Sequence, residues 1–316
     1  RVLAEHQQRR TGFAFHPDTE VTVFSGATEA LWCAMQLLSQ GDEVLAFEPY
    51  YDSYPAGAFA AGARLVGVPL TPGTWTFDAK ALRARLSPKT RAILVNTPHN
   101  PTGHVFARDE LAEIAQVAVE RDLIVVTDEV YEELVYAPAS HVSIATLPGM
   151  RERTITISST AKTFSYTGWK VGYAFAPKPL TDALRAVHQY TVFCSSTPLQ
   201  AAMTTALKLG QDYYEELRRD YRGRRDALVE ILSAAGFTPS VPEGSYFVLA
   251  DYRAIKDVPD VDFASWLTEE VKVAAIPISV FYTDRKRAEV ELRYVRFAFC
   301  KGLATLEQAG ERFKKM

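Results

Sequence analysis

The segment that most constrains this chain of 316 residues is SSTAKTFSYTGWKVG, at residues 158–172. It follows the apolar run TITI at 154–157, which predicts a buried strand. Lys162 therefore lies just beyond the end of that strand, where desolvating a charged ammonium is costly. The cost is removed if the amine is neutral and bonded, as in a Schiff base with a carbonyl compound. A strand followed by an ordinary solvated loop is the alternative interpretation.

Predicted strands and helices alternate between residues 21 and 165, which is typical of an α/β protein with a mostly parallel sheet covered by helices. After a long helical region at 198–235, short strands mix with helices and predict a smaller α+β domain. We therefore predict a large domain at residues 1–207 and a small domain at 208–316. The predicted strands lie at residues 21–24, 42–47, 91–95, 123–126, 154–157, 246–250, 273–277 and 294–299, and helices at 25–39 and 108–121.

The composition argues against several classes of partner. A net charge of −3 is not typical of a protein whose main partner is a nucleic acid. No apolar run is long enough to span a membrane, and no histidine or cysteine spacing is typical of a metal site. The three cysteines, Cys33, Cys194 and Cys300, are scattered as in a reduced, cytoplasmic protein.

The first strand is followed by a turn of small residues that opens a helix. Gly26 and Ala27 would allow a ligand to approach the backbone closely, and Thr28 adds a hydroxyl group. Free amide groups at the start of a helix bind anions, so this turn is a candidate phosphate site. An ordinary N-cap by Ser25 is the alternative. The turn matches neither the GxGxxG pattern nor the P-loop pattern, which argues against a dinucleotide site.

Other strand ends carry residues suited to a planar ligand. Asp128 ends a buried strand and needs a cationic partner, either an arginine or a protonated ring nitrogen, and Tyr131 could reach the same place. Tyr51, in the segment EPYYDSY, could stack on a ring or pack within a loop. Asn100 lies in NTPHNPTG, a loop that two prolines make rigid. Arg296 alternates with apolar neighbours on a predicted strand, which directs its guanidinium into a cleft.

In this order, the segments SGATEAL, EPYYDSY, NTPHNPTG, TDEVY, SSTAKTFSYTGWKVG and YVRFAFCK resemble those of the class I aminotransferases, which are fold type I enzymes dependent on pyridoxal 5′-phosphate. The resemblance covers nearly the whole chain. It is strongest to the branch of kynurenine, glutamine and methionine aminotransferases, with the N-succinyldiaminopimelate aminotransferases as close neighbours. It implies transfer of an amino group between an L-amino acid and a 2-oxo acid.

The resemblance also implies a role for each candidate residue. Lys162 would hold the cofactor as an internal aldimine and move a proton, while Asp128 would keep the pyridine nitrogen protonated. Arg296 would bind the α-carboxylate of the substrate in a bidentate fork, with Asn100 beside it. The phosphate would be bound by Ala27, Thr28, Ser159 and Lys170, the ring face by Tyr51, and the phenolic oxygen by Asn100 and Tyr131.

A homodimer with shared active sites is a further implication of the resemblance. Tyr190 and Phe193 would reach the substrate pocket of the neighbouring copy. Together with residues 281–282 they predict an apolar or aromatic pocket, suited to methionine, glutamine or aromatic amino acids. Cys194 stands where kynurenine-preferring relatives often carry His, which argues against kynurenine. Because Arg1 begins within a predicted helix and the N-terminal arm of the family is missing, we expect an unusually open site.

Two other functions agree with part of this pattern. A C–S β-lyase of the same fold would also use Lys162 and Asp128, but would eliminate a β-substituent from its substrate. Arg296 does not separate the two enzymes, because both bind a carboxylate. A non-enzymatic sensor domain of a transcriptional regulator would need a DNA-binding extension or a basic arm, and the sequence shows neither.

Overall fold

The computed structural model describes residues 1–316, and two separate sheets organise the chain. The larger sheet has seven strands in the order β1-β7-β6-β5-β4-β2-β3. Its strands from β2 to β6 are parallel, whereas β7 pairs antiparallel with both β1 and β6. The predicted α/β class with a mostly parallel sheet is therefore confirmed. The strands are β1 (Val21–Phe24), β2 (Glu43–Glu48), β3 (Arg64–Pro69), β4 (Thr90–Asn96), β5 (Ile124–Asp128), β6 (Thr154–Ser159) and β7 (Gly172–Phe175).

Helices cover both faces of this sheet, because alternate strand residues are apolar on each face. Leu45 and Phe47 of β2 belong to the core beneath α4 and α5. Val44 and Ala46 of the same strand face the opposite core, which α2, α3 and α7 cover. The helices of this half are α1 (Val2–Thr11), α2 (Ala27–Met35), α3 (Tyr54–Ala60), α4 (Ala79–Arg85), α5 (Arg108–Glu120), α6 (Thr160–Thr163), α7 (Lys178–Thr191) and α8 (Thr197–Ala206).

The C-terminal part of the chain builds an antiparallel sheet of four strands in the order β10-β11-β9-β8. None of the helices in the structure has both the length and the apolar character needed to cross a membrane. The elements of this part are α9 (Gln211–Ala234), β8 (Thr238–Pro239), β9 (Phe247–Asp251), α10 (Asp260–Trp266), β10 (Ile276–Pro277), α11 (Arg285–Glu291), β11 (Tyr294–Ala298) and α12 (Leu303–Phe313).

Three predicted elements differ from the structure. The long helical region at 198–235 is two helices, interrupted before Gly210, a residue with poor helix propensity. The predicted strand at 273–277 is reduced to Ile276–Pro277, because the preceding helical turn continues to Val271 and the amide of Val273 still donates to the carbonyl of Leu267. The helix predicted to end near residue 39 ends at Met35, where the following turn changes to i→i−3 hydrogen bonds.

The predicted domain boundary at residue 207 falls between α8 and α9. The two halves nevertheless share apolar contacts. Leu249, Ile278 and Phe281 from the C-terminal half belong to the same buried cluster as Phe47 and Val95 of the large sheet. The division into domains at 207 and 208 therefore stays a prediction.

The carboxyl ends of the parallel strands meet at one edge of the large sheet. Asn96 ends β4, Asp128 ends β5 and Ser159 ends β6, and the strand register pairs Asn96 directly with Asp128. Gly26 follows β1 at the same edge. Ligands of open α/β sheets bind outside this edge, and the structure collects the polar residues of the chain's motifs there.

Candidate active site

A cavity of about 240 Å³ lies between the carboxyl edge of the large sheet and the smaller sheet. Eighteen residues line it. They include all the residues predicted to bind the cofactor, together with the predicted carboxylate-binding arginine: Ala27, Thr28, Tyr51, Asn100, Asp128, Tyr131, Ser159, Lys162, Lys170 and Arg296. The structure therefore brings together residues that are up to 269 positions apart in the sequence (from Ala27 to Arg296).

Asp128 is the acidic residue of the cavity lining, and it is buried. Its side chain is almost inaccessible, and Tyr54 Oη donates a hydrogen bond of 2.8 Å to Oδ2. The backbone amide of Val130 donates to Oδ1 at 3.3 Å. Burial raises the pKa of Asp128 to about 6, although these two hydrogen bonds and the charge of Lys162 favour the carboxylate. A cation placed against Asp128 would therefore be stabilised strongly.

Lys162 lies in the first turn after β6, on the short helix α6. Its Nζ is 5.9 Å from the centre of the Tyr131 ring and 5.5 Å from the centre of the Tyr246 ring. The two rings meet edge to face, with their centres 5.1 Å apart. The amine is thus held beside aromatic surface, within a half-buried environment that faces the cavity.

The turn after β1 forms a cradle for an anion. Gly26 has a φ of 85°, and an added Cβ there would meet Lys170 Cε at 3.0 Å and Nζ at 3.1 Å. A Cβ at Gly172 would collide with the amide nitrogen of Ala27. Only glycine fits both positions, so the backbone at the start of α2 is accessible from the cavity and Lys170 lies directly beside it. This cradle fits a phosphate group.

Arg296 and Asn100 form another part of the cavity lining. Arg296 Nη1 donates to Asn100 Oδ1 at 2.8 Å, and its guanidinium lies 4.1 Å from the ring centre of Phe247 and 4.8 Å from that of Phe281. Burial lowers the pKa of Arg296 from its usual value. Asn100 is held in turn through its backbone amide, which donates to Asn96 Oδ1 at 2.7 Å. The guanidinium is therefore fixed by rings and an amide, and its remaining donors are available to a carboxylate ligand.

Some lining residues were not predicted from the sequence. Phe247 is the first residue of β9 and Tyr246 directly precedes it, and Asn96 Nδ2 donates to the Asp128 carbonyl at 2.8 Å. Tyr54, which contacts Asp128 from behind, belongs to the EPYYDSY segment from which only Tyr51 was selected. For Asn96, its place at the start of NTPHNPTG was a usable signal. For Tyr246 and Phe247, no local pattern separated them from other strand residues.

Tyr190 and Phe193 do not line the cavity of this chain. Tyr190 lies near the end of α7 and Phe193 just beyond it, and their side chains are 91% and 68% exposed. Their predicted contact with the substrate pocket of a second copy stays a prediction.

The residues present fit pyridoxal 5′-phosphate. The anion cradle, the buried carboxylate and the lysine amine match its phosphate, its ring nitrogen and its aldehyde in turn, and Tyr51 lies at the same cavity with its ring half-buried. Tyr51 packs edge to face against Tyr54, with ring centres 5.6 Å apart, which fixes the orientation of its ring.

Comparison with known proteins agrees with this fit. The sequence pattern of the family described as aminotransferase class I and II matches residues 2–312. A probable N-succinyldiaminopimelate aminotransferase of Mycobacterium tuberculosis is 44% identical over 99% of this chain and 81% of that protein. The methionine aminotransferase of Escherichia coli is 38% identical over 100% of this chain and 81% of that protein. Kynurenine–oxoglutarate transaminase 3 of Mus musculus is 41% identical over 94% and 71%, respectively.

Solved structures give the same result. The N-succinyldiaminopimelate aminotransferase from Mycobacterium tuberculosis superposes with a TM-score of 0.96, covering 99% of this chain and 82% of that one. The Escherichia coli protein with a methionine aminotransferase function superposes with a TM-score of 0.94, covering 100% and 82%. With its fold, its motifs and the residues of its cavity, this chain belongs to the class I and II aminotransferases, the family of pyridoxal-phosphate-dependent transaminases of fold type I.

Proposed function

We propose that this aminotransferase takes the amino group of an L-amino acid with an uncharged side chain, such as methionine, glutamine or an aromatic amino acid, and transfers it to a 2-oxo acid. The observation that supports this proposal is the set of charged residues in the cavity, namely Asp128, Lys162, Lys170 and Arg296. Each has a role toward the cofactor or the α-carboxylate. The cavity of this chain then has no further cation for a second substrate carboxylate.

The roles of these residues follow from their chemistry. When bound, pyridoxal phosphate supplies an electron-withdrawing ring that stabilises negative charge at the substrate Cα. Lys162 would hold the cofactor covalently and move a proton to and from Cα. Asp128 would keep the ring nitrogen protonated. Arg296 would bind and orient the α-carboxylate, and burial in the cleft strengthens that ion pair by excluding water.

The remaining cavity residues would position the cofactor. Lys170 and the amides at the start of α2 would bind the phosphate, with the hydroxyl groups of Thr28 and Ser159 beside them. Asn100 and Tyr131 would hydrogen-bond the phenolic oxygen. Burial raises the pKa of Tyr131 well above its usual value, so Tyr131 stays a hydrogen-bond donor throughout the neutral range.

A homodimer and a cytoplasmic location are also part of this proposal. The exposed rings of Tyr190 and Phe193 support a second copy as partner, because burying them would stabilise an interface by roughly 1.5–3 kcal/mol each. The three cysteines form no disulfide, which supports a reducing compartment. Sedimentation of the purified protein would test the dimer, and a monomer at micromolar concentration would contradict it.

The donor preference can be tested with a panel of amino acids and 2-oxo acids. Methionine, glutamine and phenylalanine should be better donors than aspartate and glutamate. N-succinyldiaminopimelate is a second candidate donor, because the Mycobacterium tuberculosis relative named for it is 44% identical. A preference for this compound by a factor above ten would replace the proposed donor class. Pyruvate release from cystathionine without a 2-oxo acid would instead indicate a C–S β-lyase.

Arg296→Ala should reduce kcat/KM by about 30-fold to several-thousand-fold, because truncating one member of a desolvated ion pair costs about 2–5 kcal/mol. The loss should be similar for every donor, since all carry the α-carboxylate. Arg253→Ala removes an exposed arginine near the same sheet and serves as the control. If the loss were confined to one donor, Arg296 would select the side chain instead.

A further inference from the structure

Tyr54 is a buried tyrosine at the end of the EPYYDSY segment, and the sequence alone indicates no role for it. It is the first residue of α3, its side chain is 3% exposed, and it does not line the cavity. Its hydroxyl donates to Asp128 Oδ2 at 2.8 Å, and it is the one side chain that forms a hydrogen bond with this carboxylate. The other oxygen of Asp128 accepts only the longer bond from the Val130 amide. Tyr54 can therefore act on a ligand only through Asp128.

We propose that Tyr54 is a positioning residue, which orients the Asp128 carboxylate and keeps it ionised against the ring nitrogen of the cofactor. This inference deepens the proposed function and rests on it for the identity of the ligand. The geometry supports it because Asp128 lines the cavity, whereas Tyr54 contacts the carboxylate without lining the cavity. One oxygen of Asp128 is restrained from behind, so rotation of the carboxylate would break a short hydrogen bond inside the core.

The electrostatic surroundings of Asp128 determine how much the hydrogen bond from Tyr54 stabilises the carboxylate. The ionisable groups that face the carboxylate are Tyr51 and Tyr54 from the α3 region, Tyr131 after β5, and Lys162 after β6. Burial raises the pKa of Tyr54 well above its usual value, so its hydroxyl stays a donor throughout the neutral range. Lys162 loses its ammonium charge when its amine holds the cofactor. Tyr54 then becomes the main side chain that stabilises the Asp128 carboxylate.

Removal of the Tyr54 hydroxyl has a defined consequence. With the cofactor bound, Asp128 and the ring nitrogen would share a single proton. Without the hydrogen bond from Tyr54, the Asp128 carboxylate would be more basic and would hold more of this proton itself. The cofactor ring would then withdraw electrons less well. Binding of the amino acid through Arg296 should be unaffected, because Arg296 is held by Asn100 and forms no hydrogen bond with Tyr54 or Asp128.

The experiment compares Tyr54→Phe with Tyr252→Phe. Tyr252 is also fully buried, and its hydroxyl donates a bond of the same length, 2.8 Å, to the carbonyl of Val258 in the smaller domain. In cofactor-free protein labelled with 13C at the aspartate carboxyls, the Asp128 resonance is assigned by its loss in Asp128→Asn. Tyr54→Phe should raise the pKa of this carboxyl by about one unit, as expected for the loss of a hydrogen bond to a charged group, and Tyr252→Phe should not.

Two measurements on the protein loaded with pyridoxal phosphate complete the test. With a cofactor labelled with 15N in its ring, Tyr54→Phe should move the nitrogen resonance toward the unprotonated form. The rate of a single turnover with a saturating donor should fall about tenfold to a hundredfold, with KM little changed. In the Asp128→Asn background the additional effect of Tyr54→Phe should disappear, because Tyr54 acts through Asp128.

An unchanged carboxyl titration in the cofactor-free protein would overturn the inference, and so would additive losses in the double variant. If Tyr54→Phe does not fold, the Tyr54→His variant, which retains a donor on a smaller ring, is compared with wild type in the same titrations. Failure of the proposed function has a different signature. Wild-type protein would then transfer no amino group, while the titration of Asp128 in the cofactor-free protein would still respond to Tyr54→Phe.

Discussion

The segment from Asp128 to Glu133 has two faces that use buried carboxylates in different ways. On one face, Asp128 and Tyr131 line the cavity. On the other face, the segment contacts the first helix, and Arg10 Nη2 lies 3.2 Å from Glu129 Oε2 and 3.6 Å from Glu132 Oε2. We call Arg10, Glu129, Glu132 and Glu133 the α1 cluster. The two faces share one short stretch of backbone and differ in what neutralises their charges.

In the α1 cluster the protein supplies the counter-charge itself. Burial raises the pKa of Glu132 to about 8, while Arg10 favours its ionised form and is in turn held by the surrounding carboxylates. Asp128 has no arginine partner, and its one side-chain hydrogen bond comes from the neutral Tyr54. The sequence alone left an arginine as one possible partner for Asp128. A buried carboxylate that has a cationic partner within the protein is structural, as in the α1 cluster. A buried carboxylate without such a partner, as at Asp128, indicates a site for a cationic ligand group.

Lys162→Ala gives the largest expected effect on the cavity face. Turnover should be lost, together with the visible absorption band of the bound cofactor, because no other amine lies at this position. Absorption spectra and an assay with saturating donor measure both losses. Lys178→Ala, which removes an exposed lysine paired with Asp182, is the control. Normal turnover by Lys162→Ala would refute the assignment of the whole cavity.

Arg10→Ala tests the opposite face. It should lower the free energy of unfolding by about 3–5 kcal/mol, because it leaves buried carboxylates without their cation. Urea unfolding measures the change, and Arg83→Ala, which breaks an exposed ion pair with Glu120, should have little effect. Adding Glu129→Gln to Arg10→Ala should restore part of the loss, because it removes the carboxylate that lies nearest to Arg10. Unchanged stability would mean that the α1 cluster is not held by Arg10.

Asp128→Asn should reduce the single-turnover rate about 100-fold to 1,000-fold, as for other losses of preorganised electrostatic stabilisation, with a smaller loss of cofactor binding. The cofactor-free protein at pH 8 should be as stable as wild type or more stable, because the raised pKa of Asp128 shows that its ionised form is unfavourable there. The neighbouring change Glu129→Gln should leave the rate normal and lower the stability, because it removes the ion pair with Arg10 and weakens the hydrogen bond from Ser143 Oγ at 2.7 Å. If the two variants changed the rate and the stability in the same way, the two faces of the segment would not differ in function.

The smallest expected effect concerns His104, a histidine whose charge is also neutralised by carboxylates of the protein. His104 Nε2 lies 2.9 Å from Glu110 Oε2, and Nδ1 lies 3.4 Å from Glu243 Oε2. Burial lowers the pKa of His104, but the two carboxylates outweigh it and raise the value to about 9. This contribution to stability is complete below pH 6.5 and is lost as the pH rises through 9.

His104→Gln should therefore remove a pH dependence on the order of 1–3 kcal/mol in the free energy of unfolding between pH 6.5 and pH 9.5. The measurement is urea unfolding of both proteins across this range. At high pH the two should become similar, since His104 is then neutral in wild type. The same slope in both proteins would show that His104 does not carry a charge in the folded state.

Much of the site could be predicted from the sequence, because its residues follow buried strands. The predicted strands at 21–24, 123–126 and 154–157 agree with β1, β5 and β6, apart from small differences at their ends. Parallel strands bring their carboxyl ends to one edge, so polar residues after apolar runs were bound to meet there. Lys162 and Asp128 were also conspicuous because a charge beside an apolar run needs a compensating partner.

What only the tertiary structure decided is which side chains meet across large separations in sequence. Arg10 and Glu129 are 119 positions apart in the sequence, and Tyr54 and Asp128 are 74 apart. Packing brings each pair together, and no local periodicity in the sequence predicts either contact. A hydrophobicity pattern cannot distinguish the three tyrosines of EPYYDSY from one another. Only the structure shows that Tyr54, the first residue of α3, is the one that contacts the Asp128 carboxylate. Hydrophobic periodicity determines elements and their buried faces, whereas hydrogen-bond partners depend on distances of a few tenths of an ångström that are set only when the elements pack.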